Sequence, residues 1–218
     1  MTIARRPRAG AHRWRPRPAW LLLLVGLAMI GTGWSGLLST VASTPDRGTV
    51  PAVTAPGAAA LPGQTRPAAQ PSMQIPLRLR LPSLDVSAPV VPVTVDPGGA
   101  LQVPDNPDVL GWWQGGARPG SGAGTVVIDG HVDSAQGGPG ALFRLRSLRP
   151  GDRVQLGTTH GSREYVIRAL RSFPKTALPA EVFATNGQPR LVLITCGGPF
   201  NERTRQYADN VVAFAVPA

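Results

Sequence analysis

Two short segments of this chain end in groups that could do acyl-transfer chemistry. Thr125-Val126-Val127-Ile128-Asp129 is a β-branched, apolar run that stops at Gly130-His131. Leu191-Val192-Leu193-Ile194-Thr195 repeats the design and stops at Cys196-Gly197-Gly198. Cys196 is the only cysteine of the chain, and His131 is one of three histidines. A thiol beside an imidazole is a minimal set for acyl transfer from a peptide. Sulfur attacks as the thiolate, and the imidazolium protonates the departing amine. A lone cysteine is more often a small buried hydrophobe, and a lone histidine a hydrogen-bonded rim residue. The coincidence of both at the ends of apolar strands is what points to chemistry.

Asp129 and Asp133 flank His131 and raise the question of an Asp–His metal site. Strand alternation sends Asp129 and Gly130 to opposite faces. With only three histidines in the chain, neither a metal nor a cofactor is expected. Asp133 fits better as a hydrogen-bond acceptor in the loop or as a group that orients substrate. Tyr207, Phe200, Trp112 and Trp113 are candidates to line a substrate groove, although aromatics in a small barrel are more often core.

Strand ends at a rim require strands, and the texture from Ile75 onward supplies them: short apolar runs punctuated by Pro and Gly. Strands are expected near Leu77–Leu81, Val90–Val95, Leu101–Val103, Thr125–Asp129, Asp152–Leu156, Arg163–Arg171, Arg190–Thr195 and Asn210–Val216. Turns are expected at Pro97-Gly98-Gly99 and His160-Gly161-Ser162, with single helical turns in Gly140–Leu148 and Leu178–Phe183. The fold class is therefore all-β, an eight-stranded barrel or sandwich occupying 75–218.

Ahead of it the chain changes character three times. Residues 1–19 carry Arg5, Arg6, Arg8, Arg13, Arg15 and Arg17 before any acidic residue, so six of the ten excess charges lie in this tail. A net charge of +10 concentrated there argues against a nucleic-acid partner for the remainder. Residues 20–42 are uncharged and apolar, long enough for the roughly 20 residues that span a bilayer. The arginines before them predict a single-pass cell-membrane anchor with everything after it extracytoplasmic. A cleaved signal peptide is the competing expectation, with Thr40-Val41-Ala42 as its small-residue site. Residues 43–74 are mostly Pro, Ala, Gly and Thr and read as a disordered linker. In either case the domain is exported, and its single cysteine permits no intrachain disulfide.

Val192-Leu193-Ile194-Thr195-Cys196 resembles the sortase signature, with Val192 where a Thr is usual. Gly130-His131-Val132-Asp133-Ser134, Thr195-Cys196-Gly197-Gly198, Phe200 and Asp209-Asn210-Val211-Val212 are similar to the class F sortases of actinobacteria. The likeness extends over most of Leu77 to Val216, including Leu84–Val90 and Leu148–Asp152. It implies an eight-stranded β-barrel whose cysteine cleaves a C-terminal sorting signal, typically after the Thr of Leu-Pro-x-Thr-Gly. The thioester then passes to an amine of a cell-wall precursor or to water. Its partners would be surface proteins bearing that signal.

On this resemblance Cys196 carries the thioester and His131 is acid and base, with Thr195 beside the substrate. The family's third catalytic residue is an arginine on or near the last strand. Here Asn210 occupies its usual place, and Arg205 in the preceding loop is the preferred substitute. Arg203 and Arg144 are further candidates, as substrate-binding residues. Two other functions compete: an L,D-transpeptidase-type wall cross-linker, disfavoured by Thr195 before and two glycines after the cysteine, and a non-catalytic barrel that binds wall polymer or a protein.

Overall fold

The computed structural model describes residues 46–52 and 74–218. The reading of 20–42 as a membrane anchor lies outside them. Among the described residues no helix is long and apolar enough to cross a membrane.

Among the described residues eleven strands form in chain order. They are β1 (Arg47–Gly48), β2 (Pro76–Leu81), β3 (Val86–Val93), β4 (Leu110–Trp113), β5 (Thr125–Asp129) and β6 (Asp133–Ser134). There follow β7 (Gly138–Pro139), β8 (Arg153–Thr158), β9 (Gly161–Pro174), β10 (Arg190–Asn201) and β11 (Gln206–Pro217). Eight of them, in the order β9-β11-β10-β5-β4-β3-β2-β8, close into a barrel because β8 returns to pair with β9. The expected all-β barrel is therefore present. Closure leaves no free edge among these eight.

β2 and β5 show how the sequence makes two kinds of wall. In β2, Leu79 and Leu81 are buried inside the barrel while Arg78 and Arg80 face out, the alternation of a strand with one wet face. β5 is buried at all five positions. Val126 and Ile128 enter the barrel core with Leu191 and Leu193 of β10. Val127 faces outward into a second apolar cluster with Val192, Ile194, Val212, Phe214 and Val182. Each such side chain removed from water contributes about 1.5–3 kcal/mol. A strand covered on both faces reads as a continuous apolar run, which is why β5 and β10 stand out in the sequence.

Three expectations need correction. No strand forms at Leu101–Val103; Leu101 makes a single bridge to Val95, and Pro104 and Pro107 follow closely. The strand that takes its place in the barrel is β4, whose Gly111 weakens the apolar signal. The expected helical turns are present, as 3-10 turns at Leu145–Ser147 and Ala180–Phe183. The third correction concerns the linker, which is not featureless at its start. Arg47 and Gly48 pair with Leu170 and Ala169 of β9, and the Arg171 guanidinium donates to the Arg47 carbonyl at 2.7 Å and to that of Gly48. Gly48 has φ 74°, and a Cβ there would lie 2.0 Å from the Arg168 carbonyl oxygen, so only glycine lets the chain approach this closely.

Candidate active site

β5 and β10 run parallel, with Ile128 beside Leu193 and Asp129 beside Ile194. One backbone bond and one side-chain bond carry that register past the end of β5. The Gly130 amide donates to the Ile194 carbonyl at 3.2 Å, and the Thr195 hydroxyl donates to the Gly130 carbonyl at 2.7 Å. Continuing the register sets His131 beside Cys196. Alternation then turns Asp129, His131, Ile194 and Cys196 to the outer face and Gly130 and Thr195 inward. A Cβ on Gly130 would sit 2.5 Å from Leu110 Cδ2, so the position before the histidine must lack a side chain.

Thr195 is thus a positioning residue: it is 4% exposed, and its hydroxyl is spent on the strand that carries His131. On the other flank of Cys196 stands Asn210, its partner across the antiparallel β10–β11 pair. Beyond Cys196, β10 gains an extra residue between Gly197 and Phe200, a bulge in which Gly198 takes φ 73°. A Cβ on Gly198 would meet the Asp209 carboxylate at 2.3 Å, so glycine is required here too.

Two clefts meet at the cysteine. One, of about 530 Å³, is lined by His131, Asp133, Cys196, Phe200, Arg205 and Tyr207 among others. The second, of about 430 Å³, is more apolar and is walled by Leu101, Val103, Leu178, Phe183 and Ile194, with Asp129 on its floor. Cys196 and Lys175 are the two residues that line both. The thiol is free and half-buried, not core filling. Among the described residues no hydrogen bond joins His131 to Cys196; the two face one cleft from adjacent strand ends.

Of the three arginines expected near the thiol, the fold brings in one. Arg205 closes the turn between β10 and β11 and lines the histidine cleft. It holds φ 56°, a left-handed backbone that L-residues avoid. Arg203 lies exposed earlier in the same turn, its amide held by the Asn201 side chain at 3.0 Å. Arg144 is exposed ahead of the Leu145–Ser147 turn, and neither residue lines a cleft.

Asp133 accepts a hydrogen bond from the Tyr207 hydroxyl, tying the loop after His131 to β11. That bond, with burial and then the charges at Asp133 and Cys196, pushes the Tyr207 phenol up to about 12. Of the aromatics weighed between groove and core, Tyr207 and Phe200 pack tilted against each other at 4.9 Å on the cleft wall, with Phe200 44% exposed, and Trp112 lies in the core. Sequence reasoning missed Lys175, the chain's single lysine, which opens the 3-10 turn Lys175–Ala177 after β9 and carries no local signal. It also missed that Asp129 shares a face with His131, although two-residue spacing on a strand carries that information.

A closed barrel presenting a thiol and an imidazole on adjacent strand ends defines a cysteine acyl-transfer scaffold. Comparison with known proteins narrows the class. The family model described as "Sortase domain" matches residues 79–218. Among solved structures, Streptococcus agalactiae sortase C1 in complex with MTSET is similar at TM-score 0.52 and 16% identity, covering 67% of this chain and 68% of that one. The lid mutant of sortase A from Corynebacterium diphtheriae is similar at TM-score 0.51 and 18% identity, covering 66% and 71%. No curated protein matches. The chain belongs to the sortase family of cysteine transpeptidases.

Proposed function

We propose that the chain is a class F-like sortase that cleaves a Leu-Pro-x-Thr-Gly-like sorting signal. The observation that carries this reading is the parallel register that stands His131 beside Cys196 on the face of one cleft. The Cys196 thiolate adds to the carbonyl carbon of the scissile Thr–Gly peptide bond. As the tetrahedral intermediate collapses, the carbon–nitrogen bond breaks and His131 delivers its proton to the departing amine. An incoming amine from a cell-wall precursor, or water, then loses a proton to His131 and displaces the sulfur. Arg205 is the cation aimed at the oxyanion, in place of an arginine at Asn210. The enzyme works outside the membrane, tethered by 20–42, on surface proteins that carry the signal. A half-exposed, cleft-lining thiol weighs against a structural cysteine in a non-catalytic barrel.

The test is incubation of the purified chain with a quenched Leu-Pro-x-Thr-Gly peptide, alone and with an amine acceptor. The wild type is expected to cleave, and Cys196→Ala and His131→Ala to fall by at least about a thousandfold. No cleavage by the wild type, or equal cleavage by Cys196→Ala, would falsify the proposal. Since the purified sequence begins to pack onto the barrel at Arg47, truncation at Ile75 is to be avoided.

A further inference from the structure

Asp129 is the one acidic side chain buried in the described structure, 4% exposed. Its Oδ1 has no hydrogen-bond partner. A buried acceptor left unpaired is costly, so a fold keeps one only where something compensates. The carboxyl's other interactions are with backbone, its own and that of Gly111. Gly111 stands opposite on β4, and a Cβ there would lie 2.3 Å from Oδ1, so a glycine is needed for the carboxyl to lie on this face. The walls around it are the apolar side chains of Leu101, Val103, Leu178, Phe183 and Ile194. Burial raises the Asp129 carboxyl to about 7, against backbone hydrogen bonds that pull it down. The group therefore sits near the balance between accepting as a carboxylate and donating as an acid.

From this geometry we infer that Asp129 is a specificity-determining residue: it reads a hydrogen-bond-donating side chain of the peptide lying in the apolar cleft beside Cys196. The donor is a hydroxyl, carboxamide or ammonium group set among apolar neighbours. This inference rests on the peptide-cleaving function proposed above, and it deepens that function by naming what the substrate must carry. An apolar residue at the same place in the peptide would leave Oδ1 unpaired. A site that expects a partner discriminates strongly against an analogue lacking it.

Isosteric pairs make the experiment sharp. Peptides on the Leu-Pro-x-Thr-Gly frame are varied at each position before the Thr, comparing Thr with Val, Asn with Leu, and Lys with norleucine. Binding is measured by fluorescence anisotropy to the full chain in detergent carrying Cys196→Ala, and turnover is measured separately with the thiol intact. At one position the donor-bearing member is expected to bind about tenfold tighter or more. Adding Asp129→Leu should erase or reverse that preference. Asp129→Asn, which keeps the shape, should lose the preference for Lys and keep part of that for Thr. Equal binding within every pair, a preference that survives Asp129→Leu, or no binding by any peptide overturns the inference. Donor-selective binding without turnover by the intact chain supports the inference and overturns the sortase reading. Turnover without donor selectivity does the reverse.

Discussion

The same two strands begin and end with a buried polar residue, and the two ends treat it oppositely. At the start of β10, Arg190 is 3% exposed and fully engaged. Its Nε donates to the Thr125 hydroxyl at 2.9 Å, other guanidinium hydrogens reach the carbonyls of Glu181 and Pro51, and the group lies 5.8 Å over the Phe214 ring. At the far end of β5, Asp129 is as deeply placed, yet its Oδ1 has no partner. One end spends its buried charge on holding strands, turn and 46–52 segment together. The other leaves an acceptor waiting in a cleft beside the thiol. Satisfaction of hydrogen bonds, not burial, separates the pole that stabilises from the pole that carries the proposed site.

The comparison breaks most easily at Arg190. Arg190→Met keeps the apolar length but strands the Thr125 hydroxyl and two carbonyls without their donor. A loss of about 2–4 kcal/mol is expected, seen as a Tm lower by roughly 10 °C. The surviving folded protein should keep its kcat, since Cys196 and His131 leave the opposite ends of the strands. Should Arg190→Met instead leave Tm unchanged, or cut kcat in fully folded protein, the division of labour between the poles fails.

Why one pole was readable and the other only half so follows from what each end uses. β5 and β10 bury both faces, and that gives an unbroken apolar run; a run that stops at His131 or Cys196 marks the rim. The pair was therefore legible before any coordinates. β4 was not, because Gly111 must be small for the sake of Asp129, a contact between strands that local pattern does not encode. The same holds for the cations. Arg144, Arg203 and Arg205 are alike in sequence, and only the bulge and left-handed turn between β10 and β11 select Arg205. Arg47 and Gly48 lay in a segment of linker composition, and what orders them is the Arg171 guanidinium more than a hundred positions away.

The unpaired acceptor predicts a pH signature that the satisfied arginine lacks. With its carboxyl raised to about 7 in the folded state, Asp129 keeps its proton where an unfolded chain, near the usual 4, has released it. The folded state then binds more protons between about pH 4 and 7, so this group's contribution to stability falls as pH rises through that window. Asp129→Asn removes the slope. Relative to the wild type it should be little changed at pH 4 and more stable above pH 7, by up to roughly 4 kcal/mol. Urea unfolding of both proteins at several pH values measures this, and parallel curves would mean the carboxyl is not held in its acid form.

The smallest effect tests the turn that the working pole strains. Arg205 at φ 56° costs about 1–2 kcal/mol relative to ordinary backbone, and glycine there trades most of that for about 0.5–1 kcal/mol of added chain freedom. Arg205→Gly is thus expected to stabilise the fold by up to about 1 kcal/mol while lowering kcat about a hundredfold, the scale of one oxyanion donor. A gain in stability with a loss in rate is what a strained cation on a catalytic rim should give, and no substitution at Arg190 can give it. If Arg205→Gly keeps full activity and Lys175→Ala loses it, the cation at the thiol is Lys175, which lines both clefts with Cys196. Strain at Arg205 would then belong to the hairpin and not to catalysis.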